Sequence, residues 1–288
     1  MLGKFYVSIK VSRMVNRVDR DTTLCISLAA RPSNHGVRFH NYLYDKLGLN
    51  FLYKAVAPED LTAAVAGIRG LGIRGAGVSM PFKQEVISLL DQLDPSAERI
   101  NAVNTIVNTA GELKGYNTDY LAIESLLRSH EVSPQLPVAV RGSGGMAAAV
   151  VSALAAHGMS GTVVARNHTT GAPLAATYGW DYSATVPEEA AMLVNVTPLG
   201  MRGAEENELA FPEESIENAT VVFDCVADPV RTPLVRRAEA VGLGSTPGTA
   251  LITGGEVIAL QAARQFELYT GVELTVEQVM EAEEFASA

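Results

Sequence analysis

The stretch VAVRGSGGMAAAVV, residues 138–151, decides the fold. An apolar strand-like run is followed directly by glycines and then by a helix-like run of small residues. Gly142, Gly144 and Ala147 have the G-x-G-x-x-A spacing of a dinucleotide-binding loop, and they lie in the strand–turn–helix context that such a loop requires. We predict a turn whose helix N-terminus faces a pyrophosphate. The alternative is a glycine-rich turn in another kind of α/β protein.

Strand-like and helix-like runs alternate on both sides of this stretch. The strand-like runs after it are TVVARN (162–167), MLVNVT (192–197) and TVVFDCV (220–226). Those before it are LCISLA (24–29), FLYKAVA (51–57) and RGAGVSM (74–80). This alternation predicts an α/β fold with a parallel sheet covered by helices on both faces.

Three other segments complete the outline. NTIVNTAGELKGYN (104–117) is typical of a hairpin that turns near Ala110 and Gly111, and FKQEVISLLDQL (82–93) is predicted to be helical. The proline-bearing HEVSPQLP (130–137) is predicted to connect two domains, and a second boundary is placed before the last pair of helices.

Composition limits the classes of function. The chain has 288 residues, 48% of them apolar and 19% charged, with a formal net charge of −10. An acidic chain without a basic run argues against nucleic acid as the main partner, and no apolar run reaches the ~18 residues of a membrane span. Only Cys25 and Cys225 occur, which favours a reducing, cytoplasmic location. No metal site is predicted, and both a monomer and a homodimer are open.

The N-terminus has little structural pattern. Residues 1–20 (MLGKFYVSIKVSRMVNRVDR) show neither helical nor alternating periodicity. We expect a flexible or artefactual extension, with Met14 as the natural start.

Arg166 indicates which dinucleotide is bound. An acidic residue ~20 positions after the glycines holds the ribose hydroxyls of NAD, but VVARNHT (163–169) contains none. Arg166 stands where a 2′-phosphate would lie, and a guanidinium pairs with phosphate in bidentate fashion. The sequence therefore favours NADP over NAD. The alternative is a solvated surface arginine.

Two ionisable residues lie outside the predicted dinucleotide-binding region. Hydride transfer from an alcohol needs a group that takes and returns the hydroxyl proton. Lys83 ends VSMPFK (78–83), and Asp119 lies in GYNTDY (115–120). From spacing alone, Lys83 is more often a surface residue and Asp119 a helix N-cap.

Several separated motifs together resemble the shikimate dehydrogenase family. They are VSMPFK (78–83), NAVNT (101–105), YNTD (116–119), GSGGMA (142–147), NVTPLGM (195–201), FD (223–224), TPL (232–234) and LQAARQFELYTG (260–271). The resemblance extends from about Leu24 over nearly the whole chain. It implies an N-terminal α/β substrate domain completed by the C-terminal helices, with an NADP-binding Rossmann domain between them. The implied ranges are 21–122 with 255–288, and 123–254.

The resemblance also implies roles for individual residues. Lys83 and Asp119 match the catalytic pair. Asn104 and Gln261 match ligands of substrate hydroxyls, and Ser79 stands where the family usually has a substrate-contacting threonine. The residues that match cofactor contacts are Gly142, Gly144, Gly145, Met146, Ala147, Arg166, Asn195, Thr197 and Met201.

The sequence departs from the family in the loop after the first strand. The family has two serines there that grip the substrate carboxylate, whereas here Asn34 and Gly36 occupy those positions. Substitute donors are expected among Arg31, Ser33, Asn34 and His35, and Arg38 is a further candidate cation. His40 is predicted to be a packing or capping residue.

Other departures affect the pocket and the cofactor site. An asparagine of the family is replaced by Gly77, a tyrosine by Ala227 and a second arginine by Thr170. A Gly-x-Gly-Met motif reads Gly-Gly-Glu-Val at residues 254–257. This pattern is similar to a divergent, shikimate-dehydrogenase-like subgroup.

The resemblance implies an NADP-dependent oxidoreductase. Its expected reaction is reversible hydride transfer between NADP and shikimate, or a related cyclic hydroxy acid such as quinate, with 3-dehydroshikimate as the product from shikimate. The alternative is an NADP-binding sensor or partner protein with little catalytic activity. Retention of both Lys83 and Asp119 argues against that alternative, because a pure binder has no need for the pair.

Overall fold

The computed structural model describes residues 18–287, which form two six-stranded sheets. The first sheet contains β1 (Thr23–Leu28), β2 (Phe51–Val56), β3 (Gly75–Val78), β4 (Gln92–Leu93), β5 (Thr105–Thr109) and β6 (Glu112–Tyr116). The second contains β7 (Val138–Arg141), β8 (Gly161–Val164), β9 (Asp181–Ser183), β10 (Met192–Asn195), β11 (Val221–Asp224) and β12 (Ala250–Thr253). The predicted α/β fold is confirmed.

Ten α-helices are found among the described residues. In the first half of the chain they are α1 (His35–Lys46), α2 (Leu61–Gly70), α3 (Pro95–Glu98), α4 (Thr118–Ser129) and α5 (Gly145–Ala156). In the second half they are α6 (His168–Thr177), α7 (Glu213–Asn218), α8 (Pro233–Ala240), α9 (Gly254–Thr270) and α10 (Val276–Ser287).

The first sheet is mixed and has the order β2-β1-β3-β5-β6-β4. Strands β1, β2 and β3 are parallel, while β5 pairs antiparallel with both β3 and β6. The β5–β6 hairpin turns at Ala110 and Gly111, which have φ angles of 53° and 92°. The hairpin is therefore confirmed. The parallel strands β1 and β3 end at the same edge of the sheet, where the loops that follow them meet.

The second sheet is parallel throughout and has the order β12-β11-β10-β7-β8-β9. Its two faces carry separate apolar cores, as a parallel sheet requires because both of its faces are buried. β7 lies at the centre, so the glycine-rich turn after it opens at the carboxyl edge where nucleotides bind in such sheets.

Helix α9 belongs to both cores. Val257, in its first turn, packs with Ile123 of α4 in a core of the second sheet. Further along the helix, Phe266 packs with Tyr44 of α1 in a core of the first sheet. The helix therefore ties the two units together across the space between them. The chain positions at which the two domains divide stay predictions.

The helix predicted over residues 82–93 is wrong for most of its length. Only Glu85–Leu89 form a 3-10 helix, and the chain then becomes extended. The backbone N–H of Asp91 donates to Leu113 at 3.0 Å, and that of Asp94 donates to Gly115 at 2.8 Å. Pairing with β6 thus competes with helix formation.

Most of the expected N-terminal extension lies outside the described residues. In its last three residues, 18–20, the Asp19 carboxylate accepts a hydrogen bond from the Asn50 amide at 3.1 Å. Within residues 18–287, no helix has the length and apolarity needed to cross a membrane.

Candidate active site

An open cavity of about 380 Å³ lies between the two domains. Its walls come from the β1–α1 loop, the end of β3 and helix α9, while Cys225 after β11 and Met146 of α5 close it from the second domain. The structure brings nine of the predicted site residues to this cavity: Arg31, Ser33, His35, Ser79, Lys83, Asn104, Asp119, Met146 and Gln261. Met146, predicted as a cofactor contact, thus also borders the space left for a substrate.

Lys83 and Asp119 form an ion pair in the cavity wall. The Lys83 Nζ donates to Asp119 Oδ2 at 2.9 Å, and the two side chains are 34% and 14% exposed. The carboxylate is therefore sheltered, whereas the amine keeps contact with solvent. An amine and a carboxylate at this distance can share contact with one substrate hydroxyl and move its proton to solvent.

Local structure sets the position of both members of the pair. The Lys83 carbonyl accepts the N–H of Val103 at 2.7 Å, which fixes the chain after β3. Asp119 lies in the first turn of α4, where the helix dipole favours a negative charge. The N-cap of that helix is Asn117, whose side chain accepts the Tyr120 N–H, so the N-cap alternative for Asp119 is wrong.

A hydrogen-bond network orients the Asn104 amide. Its Oδ1 accepts from the Thr118 N–H at 2.8 Å and from the Thr105 hydroxyl at 2.9 Å. The Thr105 hydroxyl in turn accepts from Gln265 Nε2 at 2.9 Å. With its oxygen occupied, Asn104 turns its Nδ2 toward Gln261, whose Oε1 lies 3.5 Å away. Both amides border the cavity and can bind substrate hydroxyls.

The loop after β1, which lacks the two serines of the family, contributes only some of its residues to the cavity. Arg31 and Ser33 line the cavity, but Asn34 is an exposed N-cap of α1 and does not. A contact between Asn34 and the substrate stays a prediction. His35 lines the cavity and also meets the Glu283 carboxylate at 3.2 Å, so part of its hydrogen-bonding capacity is already used.

The glycine-rich turn after β7 fits a dinucleotide pyrophosphate. Gly142 has a φ of +127°, and a Cβ there would lie 2.7 Å from the Val196 side chain. Added Cβ atoms on Gly144 and Gly145 would meet nothing within 4 Å, so the turn is bare where phosphates approach. Gly144 caps α5 without a side-chain hydrogen bond, which leaves the first N–H groups available. Ala147 is fully buried against the sheet.

A second cavity, of about 260 Å³, adjoins this turn. Arg166, exposed at the end of β8, and Thr197 both line it. Arg141, which was not predicted from the sequence, lines the same cavity. Burial lowers the pKa of Arg141, and the positive charge of Arg166 lowers it further. Two guanidinium groups beside one cavity fit a 2′-phosphate, although Glu205 also contributes to the lining.

The Asn195 side chain fixes the loop after β10 by hydrogen bonds. Its Nδ2 donates to the Leu199 carbonyl at 3.2 Å and to Asp224 at 3.0 Å, and its Oδ1 accepts the Thr197 N–H at 3.0 Å. Burial raises the pKa of Asp224, which that amide and two other donors stabilise. Met201, at the end of the loop, is 46% exposed. Direct cofactor contacts by Asn195 and Met201 stay predictions.

Tyr53, Gln265 and Cys225 are among the residues that line the cavity and were not predicted from the sequence. A signal existed for Gln265, since it follows Gln261 by one helical turn and must share its face. No pattern marks Tyr53, which lies in an ordinary apolar strand. His40 packs as predicted: it is buried, and its ring stacks on Tyr53 at 4.3 Å.

Comparison with known proteins identifies the family. A family model described as the shikimate dehydrogenase substrate binding domain matches residues 34–106. The shikimate dehydrogenase-like protein of Haemophilus influenzae is 50% identical over 272 residues, which are 93% of this chain and 98% of that protein. The chain belongs to the shikimate dehydrogenase family. The predicted resemblance is confirmed.

Solved structures of shikimate dehydrogenases have the same fold. A solved shikimate 5-dehydrogenase-like protein superposes with a TM-score of 0.90 at 50% identity, covering 94% of this chain and all of that one. The shikimate 5-dehydrogenase of Thermus thermophilus, solved in complex with NADP(H) and shikimate, gives a TM-score of 0.78 at 29% identity. That match covers 92% of this chain and 100% of the other.

Proposed function

We propose that this member of the shikimate dehydrogenase family is an NADP-dependent oxidoreductase. Its substrate is shikimate or a related cyclic hydroxy acid such as quinate, and the product from shikimate is 3-dehydroshikimate. The observation that carries the proposal is the 2.9 Å contact of Lys83 with Asp119, in a cavity that Asn104 and Gln261 also line. A proton-transfer pair beside two amides that bind hydroxyls suits the oxidation of one hydroxyl in a polyhydroxylated ring.

Each residue has a defined part in this reaction. In its uncharged form the Lys83 amine takes the proton of the reacting hydroxyl. The resulting ammonium, paired with Asp119, passes a proton to solvent through its exposed side. Asp119 holds the amine and the hydroxyl in line, while Asn104 and Gln261 bind neighbouring hydroxyls. NADP⁺, when bound, supplies the acceptor for the hydride that leaves the carbinol carbon. Alcohol and NADP⁺ thus give ketone, NADPH and one proton.

Two features of the second domain support NADP as the cofactor. The bare turn at Gly144 and Gly145, with the open N-terminus of α5, would hold the pyrophosphate. Arg166, with Arg141 near it, would pair with the 2′-phosphate. The related enzyme of Thermus thermophilus was solved with NADP(H) bound, which agrees with this choice.

The proposal is tested with a panel of cyclic hydroxy acids and both nicotinamide cofactors. We expect NADPH to form from shikimate or quinate in the wild type, and almost none in the Lys83→Ala variant. Tight NADP binding without turnover of any acid would instead favour the cofactor-binding sensor. We also propose a cytoplasmic location, which the free thiols of Cys25 and Cys225 support.

A further inference from the structure

A polar contact joins the two chain connections that pass between the domains. Helix α4 ends at Ser129, and His130, its C-cap, begins the first connection. Glu256 lies in the first turn of α9, just after the second connection. The Nε2 atom of His130 lies 2.9 Å from Oε1 of Glu256, although 126 residues separate the two in the chain. Neither residue lines the central cavity, so the contact has no direct part in binding a substrate there.

Both oxygens of the Glu256 carboxylate are engaged. Oε2 accepts the N–H and the hydroxyl of Thr253, each at 2.8 Å, which completes a capping box at the start of α9. Oε1 is left for His130. The helix dipoles favour the pair, because His130 lies at the C-terminal end of α4 and Glu256 at the N-terminal end of α9. Glu256 also stands at the second glycine of the Gly-x-Gly-Met motif, and a chain that keeps this glycine has no carboxylate here.

The first connection is fastened to the second domain. Glu131 has a φ of 51°, which turns the chain directly after α4. The N–H of Val132 donates to the Leu127 carbonyl at 2.9 Å. The carbonyl of Val132 lies 2.9 Å from Nε2 of His157, the C-cap of α5. The second domain therefore sets the position from which His130 reaches Glu256.

Helix α9 leads from this contact to the cavity. Gln261, which lines the cavity, follows Glu256 by about one and a half turns of the helix. Its Oε1 lies 3.4 Å from the hydroxyl of Thr118, in the turn of α4 that carries Asp119. Helices α4 and α9 are thus joined at two places, once beside the cavity and once at the connections. The contact at the connections therefore affects how Gln261 faces Asp119.

We infer that His130 and Glu256 are a positioning pair, which holds the two connections together and fixes α9 against α4. Rotation of one domain against the other is absorbed at the ends of helices and strands, and the pair joins two such ends. It acts through the helices on Asp119 and Gln261, and it sets the angle at which substrate and NADP⁺ meet. The inference rests on the proposed function for its effect on turnover, but not for its effect on the orientation of the domains.

The first test removes the donor and leaves the capping box of α9 intact. In His130→Ala we expect kcat with shikimate to fall roughly 3- to 10-fold, because orientation counts most in the transition state. The Kd of NADP⁺ alone should not change, since NADP⁺ binds the second domain. Loss of stability would lower the folded fraction but not kcat per folded molecule. His130→Gln places an amide donor near the lost Nε2 and should restore most of kcat.

Two further variants make the test specific. Arg128→Ala removes a cation two residues before His130, but its pair with Glu124 lies within α4, so kcat should not change. Glu256→Ala should lower kcat, and adding His130→Ala to it should cause no further loss, because both side chains act through one contact.

A second measurement needs no turnover. Spin labels are attached at Glu59→Cys and Glu214→Cys, exposed sites in the first and the second domain, with Cys225→Ser to remove the half-buried thiol. Electron–electron double resonance of the ligand-free protein measures the distance between the labels. We expect a narrow distribution with the pair intact, and a broader one after His130→Ala but not after Arg128→Ala.

The outcomes separate this inference from the proposed function. Oxidation of shikimate with the same kcat in wild type and His130→Ala overturns the inference and leaves the function in place. Equal losses in His130→Ala and Arg128→Ala, no recovery in His130→Gln, or a further loss in the double variant overturn it as well. A wild type that oxidises no acid contradicts the function, and broadening by His130→Ala alone then supports the inference. Unchanged label distances overturn the inference in either case.

Discussion

Lys83 and Asp119 are separated by 36 residues in the chain, yet their side chains meet at 2.9 Å in the wall of the central cavity. Lys83 follows the end of β3, and Asp119 follows the end of β6. The antiparallel strand β5 lies between β3 and β6, so the two turns open at the same edge of the sheet. The mixed topology of the first sheet is therefore what assembles the pair.

Removal of the Lys83 amine should abolish most turnover without abolishing binding. In Lys83→Ala we expect kcat to fall roughly 10²- to 10⁴-fold, the usual contribution of a positioned acid–base group. Asp119→Asn should lower kcat too, because the amide cannot hold a charged amine in place. Steady-state kinetics with calorimetric Kd values for shikimate measure both effects. A Lys83→Ala enzyme with unchanged kcat contradicts the assigned role.

Arg166 should set the preference for NADP over NAD. The variant Arg166→Gln loses a charge-assisted contact with the 2′-phosphate, so KM for NADP⁺ should rise roughly 10- to 100-fold. KM for NAD⁺, which has no such phosphate, should change little. Arg128→Gln is the matched control, since Arg128 is an exposed arginine paired with Glu124 on α4. Equal changes for the two cofactors would count against the assignment.

Two glycines of the same turn should respond differently to alanine. Gly142 has a φ of +127°, and its Cβ would strike Val196, so Gly142→Ala should lower the free energy of unfolding by at least about 1–2 kcal/mol. Gly144 has a φ of −89° and open space around it. Gly144→Ala should therefore leave stability unchanged while weakening NADP binding. Denaturant titrations and calorimetric Kd values separate the two effects, and equal stability losses would contradict this assignment.

Burial of His40 should make the protein less stable in acid. The folded pKa of about 3 lies below the ordinary value of 6.5, so the contribution of His40 is present above pH 6.5 and is lost as the pH falls toward 3. Between pH 7 and pH 5 this single group should cost about 2 kcal/mol of unfolding free energy.

The comparison that isolates this effect uses His40→Phe. Denaturant titrations at pH 7 and pH 5 should show that the variant loses about 2 kcal/mol less unfolding free energy than the wild type. His168→Gln, at an exposed histidine on α6, is the control and should keep the wild-type dependence. Identical pH dependence in His40→Phe and wild type would show that His40 is not buried as a neutral ring.

Local patterns in the sequence predicted most of the fold. Three features were predicted correctly: the glycine turn after residues 138–141, the parallel strands, and the hairpin at Ala110 and Gly111. Each is accompanied by a local pattern of apolar periodicity or turn residues in the sequence. The helix predicted over 82–93 fails because Asp91 and Asp94 pair with β6 across the sheet. This pairing joins segments that are distant in the chain, so no local sequence pattern indicates it.

The site residues also fall into two groups, those that the sequence predicted and those that it did not. Lys83, Asp119, Asn104 and Gln261 stand in motifs that resemble a known family, and the structure brings all four to one cavity. Tyr53 also lines the cavity but stands in no motif, because it lies in an ordinary apolar strand. Its place in the cavity wall follows from the packing of the sheet and is not marked in the sequence.

The most direct test of the central claim is an isotope-transfer measurement. Shikimate carrying deuterium on the oxidised carbon is incubated with NADP⁺ and the wild-type protein, and the recovered NADPH and carbocyclic product are analysed by mass spectrometry. The account predicts deuterium in the NADPH, 3-dehydroshikimate as the product, and neither with Lys83→Ala. Bound NADP⁺ that is never reduced, with all the deuterium still on shikimate, would contradict it.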